Sequence, residues 1–276
     1  MTASFTDLPA PAKLNLFLHV LGRRADGYHE LQTVFRLIDR ADRIRVSARD
    51  DGEIAFSGPY GEDNLCLRAA RLLKEESASR LGADISLEKT LPVGGGLGGG
   101  SSDAATVLLA LNRLWKLGLC RARLQVLGAR LGADVPFFIF GKNALGEGIG
   151  ERLTALDLPP AWYLVVTPQV AVSTKEIFAN ALTGQSKRLT IPPFFPGRGV
   201  NDLERVVIAR YSEVAASLKW LRERAAQARM TGSGACVFAE FATESEARAI
   251  QSQMPRGMDG FVAQGLDRHP LYDWAE

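Results

Sequence analysis

PVGGGLGGGSSDAA, Pro92 to Ala105, carries six glycines in fourteen residues and then runs straight into apolar sequence. A slack linker would leave its flanks indifferent to where it stops. This stretch stops at a helix start: Ser101 and Ser102 are N-cap types, Asp103 follows in the first turn, and AATVLLALNRLW repeats with helical period. Glycines that open a helix leave backbone N–H groups uncovered at the positive end of the helix dipole, which is the environment a phosphate needs. The bland alternative is a structural loop, and the rest of the chain has to decide between the two.

Two familiar phosphate motifs fail. A P-loop of the form G-x-x-x-x-G-K-[ST] needs a lysine after the glycines, and none follows. GGGLGG does fit G-x-G-x-x-G, but a dinucleotide site needs an acidic residue about 20 positions on, and Trp115 to Leu119 offers none. A longer glycine–serine loop leading into a helix remains. Its backbone can wrap phosphate oxygens closely, and Ser101 and Ser102 add hydroxyls. Charge compensation then falls to the helix end, to a metal ion and to residues elsewhere.

The chain of 276 residues suits one large domain or two smaller ones. With 33 basic and 31 acidic residues the net charge is +2, and no dense basic run argues for nucleic acid. Cys66, Cys120 and Cys236 lack C-x-x-C spacing, and His19, His29 and His269 lack metal-ligand spacing, so neither a disulfide framework nor a metal centre is expected. The N-terminus has no secretory pattern, and no apolar run approaches the roughly 18 residues of a membrane span. The expectation is a cytoplasmic protein with no membrane or nucleic-acid partner.

Along the chain, Lys13 to Gly22 alternates as a half-buried strand, and Asp26-Gly27 marks a turn. LQTVFRLI, RIRVSA and ADISLEKTLP read as further strands. Helices are expected over LCLRAARLLKEES, from the glycine loop to about Leu117, and near Arg121 to Arg130. LDLPPAWYLVVTP opens a second half, with a boundary near Leu158 to Pro160 and a strand at Trp162 to Thr167. That half reads as helices at about Thr174 to Leu182, Asn201 to Tyr211 and Glu213 to Gln227. MTGSGACVFAEF follows as a glycine turn entering a strand, and ATESEARAIQSQM as a helix with a capping-box start. This is mixed α and β without strict alternation.

PVGGGLGGGSS fits P-x-G-x-G-L-G-G-G-S-S and resembles the ATP loop of the galactose, homoserine, mevalonate and phosphomevalonate kinase (GHMP kinase) superfamily. PAKLNLFLHVLGRRADGYHEL (Pro11 to Leu31), LGADVPFFIFGKNALGEGIGE (Leu131 to Glu151), NDLE (Asn201 to Glu204) and MTGSGACVF (Met230 to Phe238) follow in the same order. They are similar to one branch of it, the kinases that phosphorylate the 2-hydroxyl of 4-diphosphocytidyl-2-C-methyl-D-erythritol in the non-mevalonate isoprenoid pathway.

The resemblance implies an α+β fold of two domains, 1–158 and 159–276. The N-terminal half would resemble ribosomal protein S5 domain 2, and the C-terminal half would be ferredoxin-like. It implies ATP with Mg2+ as donor, wrapped by Pro92, Val93, Gly94, Gly95, Gly96, Leu97, Gly98, Gly99, Gly100, Ser101 and Ser102. Asn64, Leu65 and Lys89 would face adenine; alone they read as a helix cap, a core residue and a solvated charge. Asp134 would take the hydroxyl proton with Lys13 paired to it, although an Asp two residues before Pro136 otherwise reads as an N-cap. Asn15, on the strand face of Lys13, would contact the acceptor, a reading that the period of two supports independently.

For the cytidine group of the acceptor, Tyr28 and Phe178 would supply opposite faces and His29 would read the base. By pattern alone the three are a hairpin cap, a core residue and a satisfied histidine. Thr231, Gly232, Ser233 and Gly234 form a turn that either closes over the acceptor or is simply tight. Asp103 fits the resemblance less clearly, because many relatives carry Asn there, and a first-turn structural role suits it as well. The expected assembly is a monomer or weak homodimer. Two rivals stay open, a sister kinase acting on a sugar, homoserine or mevalonate, and a nucleotide-sensing or RNA-contacting protein that kept the fold and lost the reaction.

Overall fold

Two long strands frame the molecule. The structure, a computed structural model, describes residues 3–181 and 199–275. In it β1 (Ser4–Arg23) and β2 (His29–Arg49) pair antiparallel from Ser4 opposite Ser47 to Arg23 opposite His29. LQTVFRLI and RIRVSA, expected as two strands, are one. The polar residues between them do not turn, because the register shifts from Pro11↔Ala41 to Ala12↔Ile38 and lets Asp39 and Arg40 bulge while pairing resumes.

The other edge of β2 is shared by three strands. β4 (Gly82–Glu88) pairs with Arg43–Arg49 and carries β3 (Ile54–Ser57) parallel on its far side. A hairpin that the periodicity does not reveal, β5 (Ala144–Gly148) with β6 (Arg152–Ala155), pairs with Leu31–Phe35. Gly146, Gly148 and Gly150 obscure the alternation. Helices α1 (Leu65–Ser77), α2 (Gly99–Leu114), α3 (Arg121–Ala129) and α4 (Val135–Phe140) cover one face. α2 is apolar nearly all round and lies inside, with every residue from Ser102 to Asn112 buried. It ends at Leu114, three residues before the sequence expectation.

After β7 (Trp162–Val166) come α5 (Thr174–Ala179), α6 (Glu204–Arg210), α7 (Ser212–Arg222), β8 (Arg229–Met230), β9 (Val237–Phe241), α8 (Glu244–Gln251) and β10 (Gly260–Leu266). Leu182, the expected end of α5, lies outside the described residues. The strand order β10-β7-β9-β8, with every pair antiparallel, is the ferredoxin-like arrangement. α8 starts with the expected capping box of Thr243 and Glu246. β10 was not legible as a strand, and it joins the halves by pairing Gly265 and Leu266 with Ile38 and Leu37. A core of Leu14, Phe17 and Val34 with Tyr163, Val165 and Phe238 continues across that seam.

The glycine loop closes the same seam. Its carbonyls at Gly94 and Gly95 accept from Ala235 and Cys236 N–H at 3.0 and 3.1 Å, and Leu97 O accepts from Lys13 N–H at 3.0 Å. NDLE acts as the clasp. Asn201 donates to the carbonyls of Met230 and Gly232 at 2.8 Å, Asp202 accepts from Val20 N–H, and Glu204 accepts from Met230 N–H.

Gly96 has φ +74°, and a β-carbon there would sit 2.2 Å from Thr231 O. Gly96→Ala should therefore lose about 2–4 kcal/mol, from the left-handed backbone and the overlap with a fixed carbonyl. Gly22→Ala, with open space around it, should stay within about 0.5 kcal/mol of wild type in the same urea titration.

Candidate active site

The glycine loop, the middle of β1, the start of α4 and the turn at Gly232-Ser233 enclose a cleft of about 550 Å³. Gly94 to Ser101 line it, as do Pro92, Val93, Lys13, Asn15, Asp134, Asn64, Leu65, Lys89 and Phe178. Most of the sequence-predicted site is thus in one place.

Lys13 is 3 % exposed, and its Nζ donates to Asn15 Oδ1 at 2.5 Å and meets Asp134 Oδ2 at 3.4 Å. The ammonium also lies 5.6 Å from the Phe35 ring centroid. A buried cation needs such partners, so the pairing fixes all three groups. Asn15 is held in turn, donating to Thr33 Oγ1 at 2.8 Å from its side chain and to Thr231 Oγ1 at 2.9 Å from its backbone. Asp134 occupies the N-cap position of α4 but caps no backbone N–H. Its carboxylate faces Lys13 and the cleft instead. Asn64 does cap, accepting from Cys66 N–H at 2.8 Å, and lines the cleft as well.

Lys89 donates to Asp42 Oδ2 at 2.5 Å and to Asp103 Oδ2 at 2.7 Å. The other Asp42 oxygen accepts from the N–H groups of Thr90 and Leu91 at 2.6 and 2.8 Å, which sets where the glycine loop begins. Burial opposes the Lys89 charge, yet the two carboxylates outweigh it and raise its pKa. Burial pushes the Asp103 carboxyl up, Lys89 pulls it back, and Asp42 adds to the rise, leaving it at about 7.

The remaining predicted residues divide, with Ser102, Thr231, Gly234, Tyr28 and His29 outside the cleft lining. Ser101 lines the cleft, whereas Ser102 is wholly buried behind the loop, its hydroxyl unpaired among the described residues. Gly232 and Ser233 line the cleft; Thr231 and Gly234 do not, and Thr231 serves to hold Asn15 and the Gly96 carbonyl. The rings of His29 and Phe178 pack on each other at 5.5 Å, and burial, then Arg23, lowers the pKa of His29. Tyr28 stands 59 % exposed at the hairpin end, outside the cleft lining.

Sequence reading missed Asp42, Thr33 and Tyr60. Asp42 sits in the polar DRAD segment, which looks like a turn. Thr33 passes as an ordinary strand residue. Tyr60, 59 % exposed and lining the cleft, follows Pro59 in a stretch without periodicity. Its φ of 71° is left-handed, a conformation that costs an L residue about 1–2 kcal/mol.

Taken together, a buried lysine paired with a half-buried carboxylate faces a glycine loop on a helix N-terminus, with an aromatic pair to one side. That set can hold a polyphosphate, orient a hydroxyl and grip a flat ring.

The family models for the GHMP kinases N terminal domain and the GHMP kinases C terminal region match residues 64–142 and 196–260. The 4-diphosphocytidyl-2-C-methyl-D-erythritol kinase of Nitrosospira multiformis is 62% identical over 97% of this chain and 94% of its own. That of Thiobacillus denitrificans is 59% identical over 96% and 97%. A crystal structure of 4-(cytidine 5'-diphospho)-2C-methyl-D-erythritol kinase superposes with a TM-score of 0.81 at 35% identity, covering 95% of this chain and 99% of the other.

Because its folded pKa of about 7 lies above the unfolded carboxyl value, Asp103 keeps a proton on folding that the unfolded chain has lost. Its contribution to stability is greatest at low pH and falls as pH rises from about 4 to 7. Asp103→Asn should remove that fall and stabilise the protein by about 1–3 kcal/mol at pH 8, with a smaller gain at pH 5. Urea midpoints at the two pH values read it.

Proposed function

We propose residue roles from one premise: the chain belongs to the 4-diphosphocytidyl-2-C-methyl-D-erythritol kinase family of the GHMP kinases. It transfers the γ-phosphate of ATP to the 2-hydroxyl of 4-diphosphocytidyl-2-C-methyl-D-erythritol and releases ADP. The observation that carries the residue assignment is the Lys13–Asp134 pair, 3.4 Å apart, facing the glycine loop in the same cleft.

Phosphoryl transfer needs the attacking oxygen in line with the γ-phosphorus and little covalent help. The N–H groups of Gly94 to Gly100 and the Ser101 hydroxyl hold the phosphates at the α2 N-terminus. Asp134 accepts a hydrogen bond from the 2-hydroxyl and receives its proton as the new P–O bond forms and the bond to ADP breaks. Lys13 fixes that carboxylate and offsets charge gathering on the transferred group. Asn15 keeps the lysine from swinging away.

Among the described residues no group of three or more His, Cys, Asp or Glu could hold a metal ion. Mg2+ bound with the triphosphate would neutralise phosphate charge, and the Ser101 hydroxyl at the α2 N-terminus is the group that would contact it. Phe178 and His29 grip the cytosine, with Tyr28 closing from the hairpin end. The enzyme works in the cytoplasm as a monomer or weak homodimer on small molecules alone.

Asp134→Ala should fold normally and lose about 10²–10⁴-fold in kcat. Lys13→Met should lose a comparable factor. Wild-type turnover by folded Asp134→Ala would overturn the assignment. Phe178→Ala should raise the KM for the cytidylated acceptor about 5–30-fold and leave the KM for ATP unchanged, as steady-state kinetics with each substrate varied will read.

A further inference from the structure

Tyr60 is an exposed aromatic side chain of the cleft wall that the proposed roles do not use. Among the described residues its ring has no aromatic, cationic or hydrogen-bonding partner, and 59 % of the residue is exposed. Its backbone is nevertheless fixed. The φ of 71° and ψ of 5° place it at the start of the single turn Gly61–Asp63, and Asn64 Nδ2 ties that turn down by donating to Pro59 O at 2.9 Å. Glycine would take this conformation without strain, so nothing in the local backbone calls for a tyrosine. The ring is held at the mouth of the cleft by the chain rather than by packing.

Gly58, two residues before it, lies against Leu87, and the rest of the shared cleft wall says what can meet the ring. Val93, 54 % exposed, Leu65 and Leu87 line the same cleft, and Lys89 with Asp103 adds the polar groups there. Apolar walls with a few polar groups suit a flat heteroaromatic ring. This end is far from the aromatic pair of the acceptor. Asp42, the partner of Lys89, and His29 are 13 positions apart on β2, about 43 Å if fully extended and less across the bulge at Asp39 and Arg40.

We infer that Tyr60 sets donor affinity and base selectivity by laying its ring against the purine of the donor nucleotide. The inference rests on the reading that ATP lies along the glycine loop.

Isothermal titration of the full chain with a non-hydrolysable ATP analogue and with inorganic tripolyphosphate tests it, on wild type, Tyr60→Phe and Tyr60→Gly. Tyr60→Gly should melt at or above the wild-type temperature, because glycine relaxes the left-handed backbone. It should bind the analogue about 5–30-fold more weakly and tripolyphosphate as before, and Tyr60→Phe should match wild type. Analogue affinity within twofold of wild type in Tyr60→Gly overturns the inference. An equal loss for tripolyphosphate also overturns it, since the effect would then lie in the phosphate loop. No acceptor is present, so the result stands whichever alcohol is phosphorylated. Failure of the kinase reading would show separately, as intact analogue binding without turnover.

Discussion

A backbone carbonyl, Thr231 O, occupies the place where a side chain on Gly96 would have to begin, 2.2 Å from the ideal β-carbon position. The cleft depends on that close approach. It presses the glycine loop of the first half against the glycine turn of the second, with Thr231 Oγ1 reaching Asn15 N–H from the other side. Lys13 is then tied to Leu97 by its backbone and to Asn15 and Asp134 by its side chain. Moving either loop would move the lysine. The proposed phosphate loop and the Thr231–Gly234 turn are therefore one mechanical unit with Lys13, although Gly96 and Thr231 are more than 130 residues apart.

The electrostatics follow the same economy. Two lysines sit in the cleft wall, Lys13 buried and Lys89 half-buried, and each is held by carboxylates that do further work. Asp134 leaves a third of its side chain open to the cleft while it pairs with Lys13. Asp42 is fully buried and splits its oxygens between Lys89 and the two N–H groups that start the loop. Asp103 completes the second cluster at a cost, since it adds a second carboxylate to a site with one lysine. Burial is the main reason its carboxyl sits at about 7 rather than in the usual acid range, and the second carboxylate adds to the rise.

Much of this was legible in the sequence, and the reasons are local. The glycine run, the helix after it and the Lys13/Asn15 alternation are short-range signals set by backbone freedom and by the strand period. Asp134 needed more, because an Asp ahead of Pro136 has an ordinary capping role and only the partner across the cleft tells the two apart. β10 and the β5–β6 hairpin were not legible: glycines interrupt one, and half-buried residues on both faces blur the other. Asp42, Thr33 and Tyr60 were missed for a different reason. Their roles come from contacts with residues on other strands or loops, or from a backbone angle, and neither leaves a periodic trace.

The most direct test of the account is ADP release with Mg·ATP, comparing 4-diphosphocytidyl-2-C-methyl-D-erythritol with methylerythritol phosphate, mevalonate, homoserine and galactose. The account predicts strong turnover on the cytidylated acceptor and background rates on the other four. Comparable turnover on any of the four, or none on the cytidylated acceptor with ATP still bound, would contradict it.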